Sequence, residues 1–206
     1  MTPATSRTPL TLDRIVDAAI ELIEAEGPEG LSMRRLAERL GSSTMATYHH
    51  VADRQALMEA IAQRLLAELT PGPADGDWRQ VVVTQIAEYL ALSRRHPATF
   101  ATLLRSRPTA LVTQVAHIVD DLTNAGLDET TAQLVVRTTV RYLMGTVLSE
   151  GAADRSVITQ ADLDELFSFG LRVLLAGFDH ALEDGPALEN GPALEDGAPG
   201  ATAAGR

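Results

Sequence analysis

The chain has 206 residues, 45% of them hydrophobic, enough for one substantial core or for a small domain beside a larger one. It contains no Cys, which excludes disulfides, thiol catalysis and thiolate metal sites and fits a reducing cytoplasm. Seventeen basic residues, every one an Arg, stand against 28 acidic ones for a formal net charge of −11, so any surface for a polyanion has to be local.

The first ten residues, MTPATSRTPL, lack an apolar h-region and read as a flexible N-terminus. With no run of 18 apolar residues anywhere, the sequence predicts neither a signal peptide nor a membrane span, and a cytoplasmic protein. Thr11 can cap a first helix whose Ile15, Ala18, Ala19, Leu22 and Ile23 form one apolar stripe, ended by Gly27-Pro28. Ser32 can cap a second, in which Met33, Leu36, Ala37 and Leu40 recur at helical spacing beside solvated Arg34, Arg35, Glu38 and Arg39. Gly41, free to take positive φ, ends it.

Ser43 can cap a third helix, of about eight residues, that carries Thr44, Thr47, Tyr48, His49 and His50 instead of a second broad apolar face. Such a helix has little reason to be buried. Helix-turn-helix geometry explains the pair: the first helix props the second in the major groove, where short polar side chains meet phosphates and base edges. A solvated helical hairpin would explain the loop but not the polar-aromatic run. Charge agrees, since Arg34, Arg35, Arg39 and Arg54 face only Glu38 and Asp53 here, whereas three basic residues face ten acidic ones from Gly151 onward.

Asp53 begins a fourth helix running to about Leu69, with Leu57, Ile61, Leu65 and Leu69 spaced to pack on both sides of a domain boundary. Thr70-Pro71-Gly72-Pro73 and Asp75-Gly76 then break the chain. These signals divide it into a DNA-binding unit at 11–52, a connecting helix at 53–70 and a second domain at 71–180. Asp77 and Gln80 make a capping-box pattern for a helix from Trp78 to His96, and Pro97 and Pro108 each suit the first position of a new helix. Asn124-Ala125-Gly126 closes the second of these, Asp128 caps a long helix to Glu150 or Gly151, and a last helix spans about Asp162 to His180. The alternation of a strand is almost missing, so the fold class is all-α, a three-helix DNA-binding domain followed by a larger helical domain.

In VRYLMGTVL (140–148) and LFSFGLRVLLAGF (166–178) apolar residues occur nearly all round the helix. Each is read as packing inward on its own subunit and outward on a second copy. The expected interface comprises Tyr142, Gly145, Leu148, Phe167, Leu171, Leu174 and Phe178, with Gly145, Gly170 and Gly177 permitting close approach. A twofold pair of recognition helices ~34 Å apart would read a palindrome. The repeats ALEDGP, ALENGP and ALEDGA, at 181–198, with Gly-Pro at six-residue intervals, read as a disordered acidic tail through Arg206.

The order and spacing of IVDAAIELIEAEG, LSMRRLAERLG, TYHHV and DRQALMEAI, contiguous over roughly residues 12 to 62, resemble the DNA-binding domain of the tetracycline-repressor (TetR) family of bacterial transcriptional regulators. The resemblance implies DNA contacts from Arg34, Ser43, Thr44, Thr47, Tyr48, His49, His50 and Arg54. Members commonly have Val after the turn glycine, Thr-Leu before the Tyr, Phe after the His and Lys three positions later; this chain has Ser42, Ala46-Thr47, Val51 and Arg54. Arg54 still supplies a cation for phosphate, Ala46 has lost a hydroxyl, and Thr47 either loosens the packing under the helix or adds a contact.

More weakly, Trp78, RSRPT (105–109), AGLDE (125–129) and LMGTVLSEG (143–151) resemble the regulatory domain of tetracycline-repressor-like members. That resemblance implies a pocket lined by Gln85, Tyr89, Leu103 and Arg107, to which Phe100 and His117 are added on spacing alone. Leu103 stands where members that hold a magnesium-tetracycline chelate have a metal-binding His, and an isobutyl group cannot bind a metal. The expected effector is therefore an apolar or amphipathic organic molecule. Adjacent His49 and His50 project ~100° apart and do not form a chelating pair. With no P-loop, dinucleotide glycine pattern or nucleophile motif, the chain reads as no enzyme, with no cofactor and no metal. The reading is a repressor that binds operator DNA as a homodimer and is released by a small effector; the alternative is a dimeric DNA-binding or adaptor protein without one.

Overall fold

A computed structural model describes residues 9–70, 76–154 and 156–183. Among them the secondary structure is helical throughout: α1 (Leu12–Glu26), α2 (Met33–Arg39), α3 (Thr44–Tyr48), α4 (Arg54–Leu66), α5 (Trp78–Arg95), α6 (Pro97–Ser106), α7 (Thr109–Asn124), α8 (Glu129–Ala152) and α9 (Gln160–Glu183), with a 3₁₀ turn at Pro28–Gly30. The all-α expectation holds. The third helix is shorter than its polar run suggested, and α4 stops at Leu66 as the Glu68 and Leu69 amides tighten into i→i+3 bonds to Leu65 O and Leu66 O. α9 continues to Glu183 and so takes in the first three residues of the acidic repeat; the rest of that tail and residues 1–8 lie outside the described residues. No helix of the described residues is long and apolar enough to cross a membrane.

Local chemistry explains most helix starts. Thr11, Ser32, Ser43, Asp53 and Asp128 each accept a hydrogen bond from the amide three residues on, at 2.7–3.3 Å, and a cap of this kind contributes about 1 kcal/mol. Asp77 accepts from the Arg79 amide instead of that of Gln80, so an Asx-type turn replaces the expected capping box. The α2–α3 junction is a Schellman motif: with Gly41 at φ 60°, its amide donates to Glu38 O and the Ser42 amide to Ala37 O, at 3.1 and 2.9 Å.

Helices α1, α2 and α4 close around Ile15, Ala19, Ile23, Leu36, Leu57 and Ile61, all 0% exposed, and each large aliphatic so buried contributes about 1.5–3 kcal/mol. The same buried cluster continues through Val81, Ile86, Leu122 and Val135, where α5, α7 and α8 pack together, with α9 lying along α8. The two parts meet where α1 packs on α6 and α4 on α7.

That junction supplies caps which the later helices lack. His96 makes no side-chain cap bond at the start of α6, and Pro108, before α7, has no polar side chain to offer. Instead Glu24 of α1 accepts from the Ala98 and Thr99 amides at 3.2 and 2.8 Å, one through each carboxylate oxygen. Glu59 of α4 accepts from Thr109 and Ala110 at 2.8 and 2.7 Å in the same fork.

Candidate nucleic-acid interface and ligand cavity

The face that α3 presents is fixed by one residue. Thr47 is 0% exposed, its hydroxyl within reach of Ser43 O at 3.3 Å and Ser42 Oγ at 3.4 Å, and Val51 is buried just beyond it. Thr47 therefore packs beneath the helix, which resolves the two roles open to it and removes it from the outward set. Tyr48, His49 and His50 are exposed, Ser43 spends its hydroxyl on the cap, and Thr44 is half-buried. Met45, 70% exposed, was missed by sequence reasoning because a thioether reads as core. Its signal was positional: Met45, Tyr48 and His49 fall at i, i+3 and i+4, on one face.

The arginines around this helix are engaged within the chain. Arg34 pairs with Glu38 at 2.7 Å, Arg35 with Glu26, and Arg39 with Glu21 at 2.7 Å. The Arg34 pair is open to solvent, and such a pair contributes little, about 0–1 kcal/mol, so phosphate can take its place cheaply. Arg54 is different: its guanidinium donates to the carbonyl oxygens of Leu31 and Pro28, which sets α4 against the entry to α2.

The residues expected around a ligand separate into four places. Gln85 and Tyr89 of α5 meet Ile118 and Leu122 of α7 and Val136, Thr139, Val140 and Leu143 of α8 around a narrow cavity of about 40 Å³. Gln85 Oε1, Tyr89 Oη and Thr139 Oγ1 are buried without a hydrogen-bond partner, and none of the lining residues is charged. Burial pushes the Tyr89 phenol well up from its ordinary value; the Gln114 side chain opposes that shift without reaching hydrogen-bond geometry. Phe100 and Leu103 of α6 are buried behind the cavity, the Phe100 ring 6.5 Å from that of Tyr89. Arg107 is exposed at the end of α6, in the left-handed conformation (φ 49°), and His117 lies exposed beside Glu59 and Gln114 in a separate open groove between α4 and α7. Thr139 was missed; a polar residue within the inward stripe Val136, Val140, Leu143 was the available signal.

The apolar face shared by α8 and α9 is phased differently from expectation. Tyr142 and Phe167 stack on each other, centroids 5.6 Å apart, and the Tyr142 hydroxyl donates to Phe167 O at 2.7 Å. Leu171 is buried, Leu174 is half-buried, and Phe178 packs edge-on against Trp78. Gly170 packs within the chain, since a Cβ there would lie 2.3 Å from the Tyr142 hydroxyl, whereas Gly145 and Gly177 have open space above them. What faces outward is Leu166, Phe169 and Val173 of α9, each more than half exposed and in line with Gly177 on one face of that helix, and, on α8, Leu148.

This geometry can be set beside known proteins. The sequence pattern of the bacterial regulatory proteins of the tetR family matches residues 15–61. The HTH-type transcriptional repressor DrrR1 of Streptomyces coeruleorubidus is 44% identical over 90 residues, 43% of this chain and 33% of DrrR1, so the alignment spans a third of that relative's length. The class A tetracycline repressor protein from transposon 1721 of Escherichia coli is 31% identical over 188 residues, covering 86% of this chain and 85% of the repressor. Among solved structures, a TetR variant from Acinetobacter baumannii AYE in complex with minocycline superposes with a TM-score of 0.66 at 26% identity, covering 84% of this chain and 98% of that one. Similarity that runs through both the α1–α4 unit and the helices after it, with the helix-turn-helix geometry in place, means that this chain belongs to the TetR family of bacterial regulatory proteins.

Proposed function

We propose that the protein is a ligand-responsive transcriptional repressor that binds a palindromic operator as a homodimer and is released from it by a small, uncharged organic effector. The observation that carries the reading is α3 itself: Thr47 and Val51 anchor it, and Met45, Tyr48 and His49 project from one outward side. A helix held rigidly by its underside, with its polar-aromatic side open, suits the major groove.

The exposed apolar face of Leu166, Phe169 and Val173, with Leu148 exposed on α8, supports pairing with a second copy, because a monomer gains nothing from such apolar area in water. The cavity supports an effector. Its three unpartnered polar atoms in an uncharged lining favour a neutral molecule that donates to Gln85 Oε1 and exchanges hydrogen bonds with Tyr89 and Thr139. Leu103, buried in α6 with no lone pair to give, favours an effector that needs no metal chelate. At about 40 Å³ the cavity is far smaller than a ligand site of ~300 Å³, so the effector must part α5, α7 and α8, and differential affinity for that opened state would shift the population away from DNA.

Sequencing of genomic fragments enriched by the purified protein tests this. One twofold-symmetric sequence is expected. A Phe169→Asp variant should run as a monomer in light scattering and lose at least about tenfold of the preference for the full palindrome over a half-site. Failure to enrich any sequence overturns the DNA reading; an asymmetric site, or a dimeric variant, overturns the homodimer.

A further inference from the structure

We propose that Glu24 and Glu59 are interdomain latches: positioning residues that cap α6 and α7 from outside and thereby carry the state of the ligand cavity to the DNA-binding helices. The case begins with a contrast. Helices α1 to α5 and α8 start on their own Thr, Ser or Asp caps, whereas α6 and α7 start on His96 and Pro108, neither of which provides one. The His96 imidazole is turned to Glu68, 3.5 Å away. The first-turn amides of both helices need an acceptor, and a carboxylate is the favoured group at that end of a helix dipole.

Both acceptors come from the other side of the junction. Glu24 reaches Ala98 and Thr99 from α1, and Glu59 reaches Thr109 and Ala110 from α4, each with one oxygen per amide. Two forked contacts on two different helices fix an orientation, as one contact would not. All four donors are backbone amides, so on the side of α6 and α7 the latch reads the position of the helix axes and not a rotamer.

The same two helices form or support the cavity wall. Helix α7 contributes Ile118 and Leu122 to the lining. Helix α6 places Phe100 against the ring of Tyr89, which lines it from α5. Any molecule larger than the present cavity displaces α7 directly and α6 through Phe100, and a shift of about 1 Å lengthens a 2.8 Å hydrogen bond beyond useful range. Opening the cavity therefore unlatches α1 and α4, and by linkage binding of DNA to α1–α4 must alter the latches in return. The direction of signalling rests on the reading of the protein as an effector-controlled regulator; the latches themselves do not.

Hydrogen–deuterium exchange on the full-length protein tests both parts, using Glu24→Gln, Glu59→Gln and the double variant. Gln keeps the shape and one acceptor oxygen, so the variants stay folded, which circular dichroism checks. Without DNA, amide exchange in the first turns of α6 and α7 should accelerate about fivefold in the matching single variant while α5 and α8 stay protected. With the DNA fragment enriched by the wild-type protein, the wild type should change exchange in those two turns, and the double variant should lose that response while still binding DNA. A merely structural role would change the first measurement and leave the second intact. Unchanged exchange in the variants overturns the latches, and a DNA response that persists in the double variant overturns their part in coupling. If the wild type binds no DNA, the regulator reading falls separately and the measurement without DNA still decides whether the carboxylates latch.

Discussion

The Arg54 guanidinium donates to the Leu31 carbonyl oxygen at 2.7 Å, across 23 residues, and reaches Pro28 O at 3.3 Å. Sequence had offered Arg54 as a cation for phosphate, yet here it holds the start of α4 to the segment that delivers α2. Arg54→Ala should cost about 1.5 kcal/mol of stability in urea unfolding, the contribution of a charge-assisted bond to backbone. Operator binding should weaken through misplacement of α2 and α3. Because no phosphate contact is removed, the slope of log affinity against log salt should stay the same. A fall in that slope of about 1 would show that Arg54 spends its charge on DNA.

Neighbouring residues on α3 should divide stability from recognition. Thr47 is fully buried and Tyr48 is 45% exposed. Thr47→Ala should lower stability by about 1 kcal/mol through the lost methyl and hydroxyl contacts, whereas Tyr48→Ala should leave the melting temperature unchanged and reduce operator affinity about tenfold, the effect of one good base or phosphate contact. Thermal melts and DNA titrations on the two variants check the pair. A Tyr48→Ala protein that melts early or binds normally would mean that the outward face of α3 has been misassigned.

What could be read from the chain, and what could not, follows from the range of each interaction. Caps such as Ser32 and Ser43 act on an amide three residues away, and stripes such as Ile15, Ala19, Leu22 and Ile23 encode their own buried side, so α1 to α3 were legible. Glu24 and Glu59 were not, because their partners lie 74–75 and 50–51 residues along the chain and each looks like an ordinary helix-surface acid. Helix α9 failed in another way. An apolar run with no polar side gives no phase, so Phe167, Leu171 and Phe178 were assigned outward and Phe169 was passed over, and only the packing of Tyr142 into the space over Gly170 sets the true phase. The cavity was legible at Gln85 and Tyr89 and scattered beyond them: Arg107 and His117 lie on other surfaces because α6 turns away at a left-handed residue before α7 begins.

Tyr89 provides a test with pH as the variable. Its hydroxyl is buried without a partner, and burial pushes its ionisation well above the value near 10 of an exposed phenol. A folded-state pKa above the unfolded one means that this group's contribution is complete below about pH 10 and declines as pH rises from there towards the folded value. The wild type should therefore lose stability above about pH 10 more steeply than Tyr89→Phe, with other alkaline titrations, including that of Tyr142, common to both proteins. At neutral pH the variant should be as stable as the wild type or more so, since Phe leaves no unsatisfied hydroxyl in the folded state. Urea midpoints measured for both proteins from pH 7 to about 11 check this. Parallel curves would show that the phenol reaches water, and the cavity would then be open where Tyr89 lines it.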